Sequence, residues 1–424
     1  VKGKYLVFYK KNILNSPIWK SKEFNVLWVS QSLNVLGNRI FLLGLPLFVF
    51  EITGSGAQMS FTFAISMLPH LIFGIIGGGL ADFWDRKKCL IVGNFLAAIP
   101  LITIFILHNR QALEIWHIYI LVFVLSCIEG VNLSIFEASI PSIVKKELLI
   151  DANSLVEVTN SILTILGPAF AGILIAYFSA SSTILFTAFS CLAAGIIALF
   201  IKISKEYIEK DNNKIKNAIN NFMEGILFIP KHPELRWGII LSTSTNITMG
   251  AYTVLLIFFM TNNLKIEANL IGIVFSLSSI ATLLSSVYLA SIFSKFKKGS
   301  VMVISLGMMG IGIIGLGLSI NIYTLILAQF MYMGCMSLYT INWRSLRQII
   351  TPNNMMGRVS GVCRGIAYLG SSLGGFLSGV LLTKYNPSVI FIIQGLLIII
   401  FAIFAYRSPL YRSTEVLKET NISS

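Results

Sequence analysis

The sequence predicts an all-α integral membrane protein, built from twelve transmembrane helices as two parallel six-helix repeats. Three observations carry this expectation. Apolar residues fill 55% of the 424 positions and charged residues only 12%, about half the charged share of a soluble chain. The apolar residues gather into twelve runs of spanning length, and lysine and arginine crowd into alternate loops between them. Water offers no place to bury so much apolar surface, so the bilayer is the expected solvent.

A helix needs about 20 residues to cross the hydrocarbon core. The first run, 24–50, follows Lys2, Lys4, Lys10 and Lys11. It is too long for the apolar segment of a secretory leader and lacks a small-residue cleavage site, so it reads as a span. Five more runs lie near 57–81, 88–107, 116–139, 153–178 and 182–203, and six near 237–260, 268–293, 300–319, 321–345, 358–383 and 387–406. Their apolar character is continuous, whereas a barrel strand alternates, so helices are expected. Residues 204–236 form the longest polar break. Within it Ile215, Ile219, Phe222, Met223, Ile226 and Ile229 recur at helical spacing, which fits either an amphipathic helix on the membrane surface or a solvated linker. The expected organisation is a first six-helix half (1–203), a cytoplasmic central loop (204–236), a second half (237–406) and a cytoplasmic tail (407–424).

Counting loops from an inside amino terminus places 28 of the 32 lysines and arginines on the cytoplasmic side and three, Arg110, Lys265 and Lys384, outside, with Arg39 inside the first run. This is the positive-inside pattern, and an odd number of spans would scramble it. A multi-pass protein of the cell membrane with both termini cytoplasmic is expected. The net charge of +14 therefore reflects topology; no basic stripe is interleaved with aromatics, and no nucleic-acid partner is expected. The five cysteines and four histidines lack ligand spacing, so neither a metal nor a cofactor is expected. No G-x-x-x-x-G-K-S/T sequence points to ATP. An enzyme would need catalytic groups clustered at one depth, which the sequence does not offer. A monomer is expected.

The halves echo each other: Ser139-Ile140-Pro141-Ser142-Ile143-Val144 before Gly167-Pro168 is matched by Ser345-Leu346-Arg347-Gln348-Ile349-Ile350 before Gly374-Gly375. Transporters built from parallel repeats bind their substrate between the halves near mid-membrane depth. After the second run comes Gly78-Gly79-Leu80-Ala81-Asp82-Phe83-Trp84-Asp85-Arg86-Lys87-Lys88. It resembles the G-x-L-A-D-R-x-G-R-K/R signature of the major facilitator superfamily, with Phe83 in place of arginine and Asp85 in place of glycine. The resulting D-x-x-D-R-R/K form is similar to the macrolide-efflux-like and siderophore-exporter-like branch. So are Phe136-Glu137-Ala138-Ser139-Ile140-Pro141-Ser142-Ile143-Val144, Ala152-Asn153-Ser154-Leu155, Leu166-Gly167-Pro168-Ala169-Phe170-Ala171-Gly172 and Met356-Gly357-Arg358-Val359.

The resemblance covers nearly the whole chain. It implies a secondary transporter, an antiporter that exports a lipophilic or amphipathic organic compound of macrolide or siderophore type by alternating access, against entering protons. Antibiotic resistance is the matching phenotype. An importer or lipid transporter of the same fold is the alternative, ahead of a transport-dead sensor or a membrane-embedded enzyme.

Several residues are candidates for that work. Gly78 removes bulk where helices approach closely. Asp82 at the membrane edge is expected to cap the eleventh span and pair with Arg358, with Asp85 and Arg86 beside it in a cytoplasmic gate; the other reading is that this charge cluster only enforces topology. Glu137 either pairs with Arg86 or is solvated. Gly167, Pro168 and Gly172 put a breaker and small residues into the fifth span, resembling the antiporter glycine-proline motif or serving packing alone.

Arg39 and Glu129 are the clearest deep charges, and an unpaired charge there costs at least about 2.5–3.5 kcal/mol. They are expected to pair. Either Glu129 exchanges a proton and frees Arg39, or the pair is permanent. The branch usually has an acid where this chain has Asn38. Arg364 and Glu157 are expected to snorkel to the interface. Gln31, Asn34, Asn38, Asn132, Asn246, Tyr252, Gln329, Tyr332 and Tyr339 are candidates for the cavity wall, a largely apolar surface suited to an amphipathic organic molecule.

Overall fold

The computed structural model describes residues 16–80, 85–202, 214–293, 296–352 and 355–412. Twelve long helices run through these residues. The first six are α1 (Lys22–Thr53), α2 (Gly56–Leu80), α3 (Arg86–Asn109), α4 (Ile115–Ile143), α5 (Leu149–Tyr177) and α6 (Ala180–Ala198). After a linker helix (Lys214–Phe228) come α7 (Pro233–Phe258), α8 (Ala268–Leu284), α9 (Lys298–Gly317), α10 (Ile322–Ile350), α11 (Met356–Leu382) and α12 (Pro387–Tyr406). Eleven of the twelve are long and apolar enough to cross a membrane. The twelfth, α2, is a 25-residue helix that joins the bundle by packing on α4 and α11.

Local chemistry sets the helix ends. The Ser21 side chain accepts from the Phe24 amide at the start of α1, and Gly54, at φ 63°, closes its far end in the left-handed conformation that glycine adopts without strain. Asp85 accepts from the Lys88 amide at 3.1 Å and so opens α3. Asn321 does the same for α10 through the Thr324 amide at 3.0 Å. α4 and α10 each run for 29 residues.

Within the first six helices α1 lies on α5 and α6, and α3 lies on α4 and α6; within the last six α9 lies between α10 and α12, and α7 lies on α11. Large apolar side chains such as Ile99, Ile106, Phe189, Ile196, Ile403 and Phe404 point outward. In lipid this is the expected face, since hydrocarbon tails solvate them.

The odd-numbered helices start at one end of the bundle, here the basic end, and the opposite end is the far end. The two sets of six meet through α2 on α11 and α5 on α8, and the closest contacts lie toward the far end. A Cβ built on Gly172 would sit 2.9 Å from the Ala268 carbonyl, and one on Gly272 would sit 2.4 Å from that of Pro168, so α5 and α8 cross almost backbone to backbone. The Ser276 hydroxyl donates to the Ile165 carbonyl at 2.7 Å and the Ser372 hydroxyl to the Ala64 carbonyl at 2.9 Å. Phe50 of α1 meets Phe258 of α7 edge to face at 5.4 Å.

At the basic end the central loop does form the helix that its spacing allowed. The linker helix docks against α11 and α2: Gly225 lies against the Arg358 carbonyl and Phe222 near Gly365. Glu224 pairs with Arg358.

A polar chamber at the basic end

A chamber of about 540 Å³ opens among α1, α3, α4 and α5, closed on its remaining sides by His70 of α2, Thr187 and Cys191 of α6 and Tyr368 of α11. Helical periodicity builds its wall. Gln31, Asn34 and Asn38 recur on one face of α1, Glu129, Asn132, Phe136, Glu137 and Ile140 on one face of α4, and Asn153, Val156, Glu157 and Asn160 on one face of α5. Glu137 and Asn153 are exposed and mark the mouth, which is at the basic end.

Asn94 of α3 holds the back of the chamber. It is 2% exposed, and its Oδ1 accepts from the Asn34 amide at 2.9 Å and the Asn132 amide at 3.4 Å. Three helices are thereby tied through one buried carbonyl, where an unmade hydrogen bond would cost about 1–3 kcal/mol.

Glu129 and Arg39 both reach the chamber, but the expected pair between them is not formed. Asn38 donates to both Glu129 oxygens, at 3.3 and 3.4 Å. Arg39 follows Asn38 by about 100° around the helix, so its side chain leaves toward α5. There Gly167 receives it: a Cβ on Gly167 would lie 2.4 Å from the Arg39 Cβ. Glu157 acts electrostatically on Arg39, whose Nε is buried without a hydrogen-bond partner. Glu157 lines the chamber and is exposed.

The gate candidates divide. Asp82 lies outside the described residues, and Gly78 is described only by its place in α2. Arg358, the expected partner of Asp82, pairs with Glu224 of the linker helix between the two sets of six. Asp85 caps α3, Arg86 opens that helix, and Glu137 stands at the chamber mouth. Gly167 makes room for Arg39, while Pro168 and Gly172 form the crossing with α8.

Of the cavity candidates, Gln31, Asn34, Asn38 and Asn132 line the chamber. Those of the second half are placed elsewhere. Tyr252 and Tyr332 stack at 4.4 Å, and the Tyr332 hydroxyl reaches the Met249 sulfur at 3.4 Å. Gln329 donates to Ser278, Asn246 donates to the Ser242 carbonyl at 2.7 Å, and Tyr339 is 2% exposed. These are packing contacts inside α7, α8, α10 and α11. The sequence reading missed Asn94, His70, Asn160 and Tyr368 as wall residues. For α5 a signal was present: Asn153, Glu157 and Asn160 fall at helical spacing, a polar stripe too long for snorkelling to explain.

Residues 15–422 match the family model described as transmembrane secretion effector. The chain is 24% identical over 217 residues to macrolide efflux protein A of Streptococcus pyogenes, a match covering 51% of this chain and 53% of that protein. It is 21% identical over 379 residues to the enterobactin exporter EntS of Escherichia coli, covering 88% and 89%. The crystal structure of the nucleoside transporter NupG aligns with a TM-score of 0.75 at 14% identity, over 93% of this chain and 100% of that one, a likeness of fold alone.

Proposed function

Since the chain belongs to the transmembrane secretion effector family of major facilitator transporters, and so is a membrane transporter and not an enzyme, we propose that it exports a lipophilic or amphipathic organic compound by alternating access, driven by protons moving inward. The observation that carries this reading is the chamber: it has drug-sized volume, polar groups from four helices, a mouth at the basic end and tight α2–α11 and α5–α8 contacts at the far end. The lysine and arginine distribution makes the basic end cytoplasmic, so the state in hand faces inward, ready to load.

In this reading the halves rock about the chamber. The far-end contacts at Gly172 and Gly272 open as the mouth near Glu137 closes, with Asp82, Asp85 and Arg86 facing α11 and Arg358 in the closed gate. Glu129, held by Asn38, carries the coupled proton. Arg39 balances Glu157 and steadies the wall between α1 and α5. The macrolide and enterobactin relatives support a compound of that general size and amphipathic character, with antibiotic resistance as the phenotype for the first kind.

Inside-out vesicles containing the protein, loaded with an acid interior, test this. They should accumulate an exported amphipathic compound, and a protonophore should abolish the uptake. Accumulation only in right-side-out vesicles would make the protein an importer.

A further inference from the structure

We propose that the chamber selects organic cations, so that its substrate is an amphipathic molecule bearing a protonated amine or similar positive group. The inference rests on the transport reading and narrows it to a charge class.

The wall decides the sign. Three carboxylates, Glu129, Glu137 and Glu157, line the chamber together with one guanidinium, that of Arg39. Glu157 acts on Arg39 electrostatically. Glu129 has a single neutral donor, Asn38, at hydrogen-bond distances of 3.3 and 3.4 Å, which leaves most of its acceptor capacity unused. Glu137 adds a second carboxylate at the mouth. With Glu129 ionised, three carboxylates face Arg39 and the nearby Arg364, so the excess is negative in the state that takes up cargo.

The remaining surface suits the rest of such a molecule. His70 and Tyr368 meet at 5.3 Å across the gap between α2 and α11, and both line the chamber with Phe136. Aromatic faces attract cations through the ring quadrupole, and apolar groups from α1, α4 and α5 receive a hydrophobic body. Arg364, one turn from Tyr368 toward the basic end, is exposed and acts electrostatically on Tyr368, so it offsets part of the negative charge near the mouth. A concave site that focuses one sign of charge within low-dielectric walls raises the local concentration of its counter-ion. An anionic amphiphile would meet uncompensated carboxylates there.

Tetraphenylphosphonium and tetraphenylborate separate charge from shape, being close in size and hydrophobicity and opposite in sign. Binding of each to the purified full-length protein is measured by equilibrium dialysis, for the wild type and for Glu137→Gln, Glu157→Gln and Arg39→Gln. Comparing variants cancels partition into detergent, and size-exclusion profiles confirm folding. Each glutamine in place of a glutamate should weaken the cation by about tenfold, the effect of one charge several ångströms away at a high effective dielectric, and leave the anion unchanged or tighter. Arg39→Gln should act in the opposite direction.

Cation binding that is undetectable, or that ignores both glutamate substitutions, overturns the proposal, as does a wild-type preference for the anion that survives Arg39→Gln. If proton-driven uptake of an uncharged amphiphile into vesicles persists in that case, the export reading stands and only the charge class falls. If no compound of any charge is moved, both fall.

Discussion

Asn38 places its amide against both carboxylate oxygens of Glu129, at 3.3 and 3.4 Å, while the neighbouring Arg39 turns toward Gly167 of α5. A carboxylate held by a neutral amide changes charge without breaking an ion pair. That is the property a coupling site needs, because the proton then shifts the balance of states without first releasing a buried guanidinium.

Glu129→Gln keeps the contact with Asn38 and removes the exchangeable proton. Substrate exchange at equal concentrations on both sides should continue near the wild-type rate, whereas efflux driven by a pH gradient should fall by more than about tenfold, a loss of at least about 1.4 kcal/mol of coupling. Full gradient-driven efflux in this variant, measured in proteoliposomes, would remove Glu129 from the coupling step.

Gly172→Leu drives a side chain into the crossing with α8, where even a Cβ meets the Ala268 carbonyl at 2.9 Å. Overpacking of this kind costs about 1–3 kcal/mol and acts only while the far end is closed. The population of the far-end-closed state should drop by about 5- to 150-fold, seen as longer distances between spin labels at the far ends of α5 and α8. An unchanged distance distribution would mean that the crossing does not hold this state.

Asn94→Leu removes the buried acceptor shared by Asn34 and Asn132. Thermal unfolding in detergent should show a loss of about 1–3 kcal/mol, and Asn94→Asp, which keeps both acceptor positions, should recover part of it. Equal losses in the two variants would point to volume and away from the hydrogen bonds.

The Arg358 and Glu224 side chains are 35% and 52% exposed, so their ion pair should contribute no more than about 1 kcal/mol. Arg358→Glu should lower stability only slightly and Arg358→Glu with Glu224→Arg should restore it. A transport defect in the single variant that the swap repairs would show that docking of the linker helix matters to the cycle beyond stability.

Reporter tags at residue 1 and residue 424 should both report the cytoplasmic face, and a tag between α1 and α2 the opposite face. Tags on opposite faces at the two ends would overturn the even span count on which the inward-facing assignment depends.

The bundle was legible in the sequence because burial in lipid demands it: each span is one long apolar run, and Lys/Arg asymmetry orders the loops. Helix ends were less legible, since capping by Asp85 or Asn321 depends on single residues and α4 extends past Ser139 through Pro141 to Ile143. The chamber was half legible. Gln31, Asn34, Asn38 and Asn132 were found as polar groups in apolar runs, and that test works where a helix has few of them. It failed in the second half, where Tyr252, Tyr332 and Gln329 are packed into the core by ring contact and by the Gln329 bond to Ser278, while the Tyr252 hydroxyl and the Gln329 Oε1 are buried without a partner. The partner of Arg39 was hidden for a different reason. It depends on which way residue 39 faces and on the notch at Gly167, a contact between α1 and α5 that no local pattern records.

Tyr252, Tyr332, Met249 and Gln329 fill the interior of the second six helices, while the first six keep an open and chemically varied hollow. On the proposed reading the two sets of six have unequal trades, the hollow one recognising cargo and the filled one giving it a surface to pivot on. Descendants of such a chain can change what they carry by altering a few positions on α1, α4 and α5, and the moving surface need not be rebuilt each time.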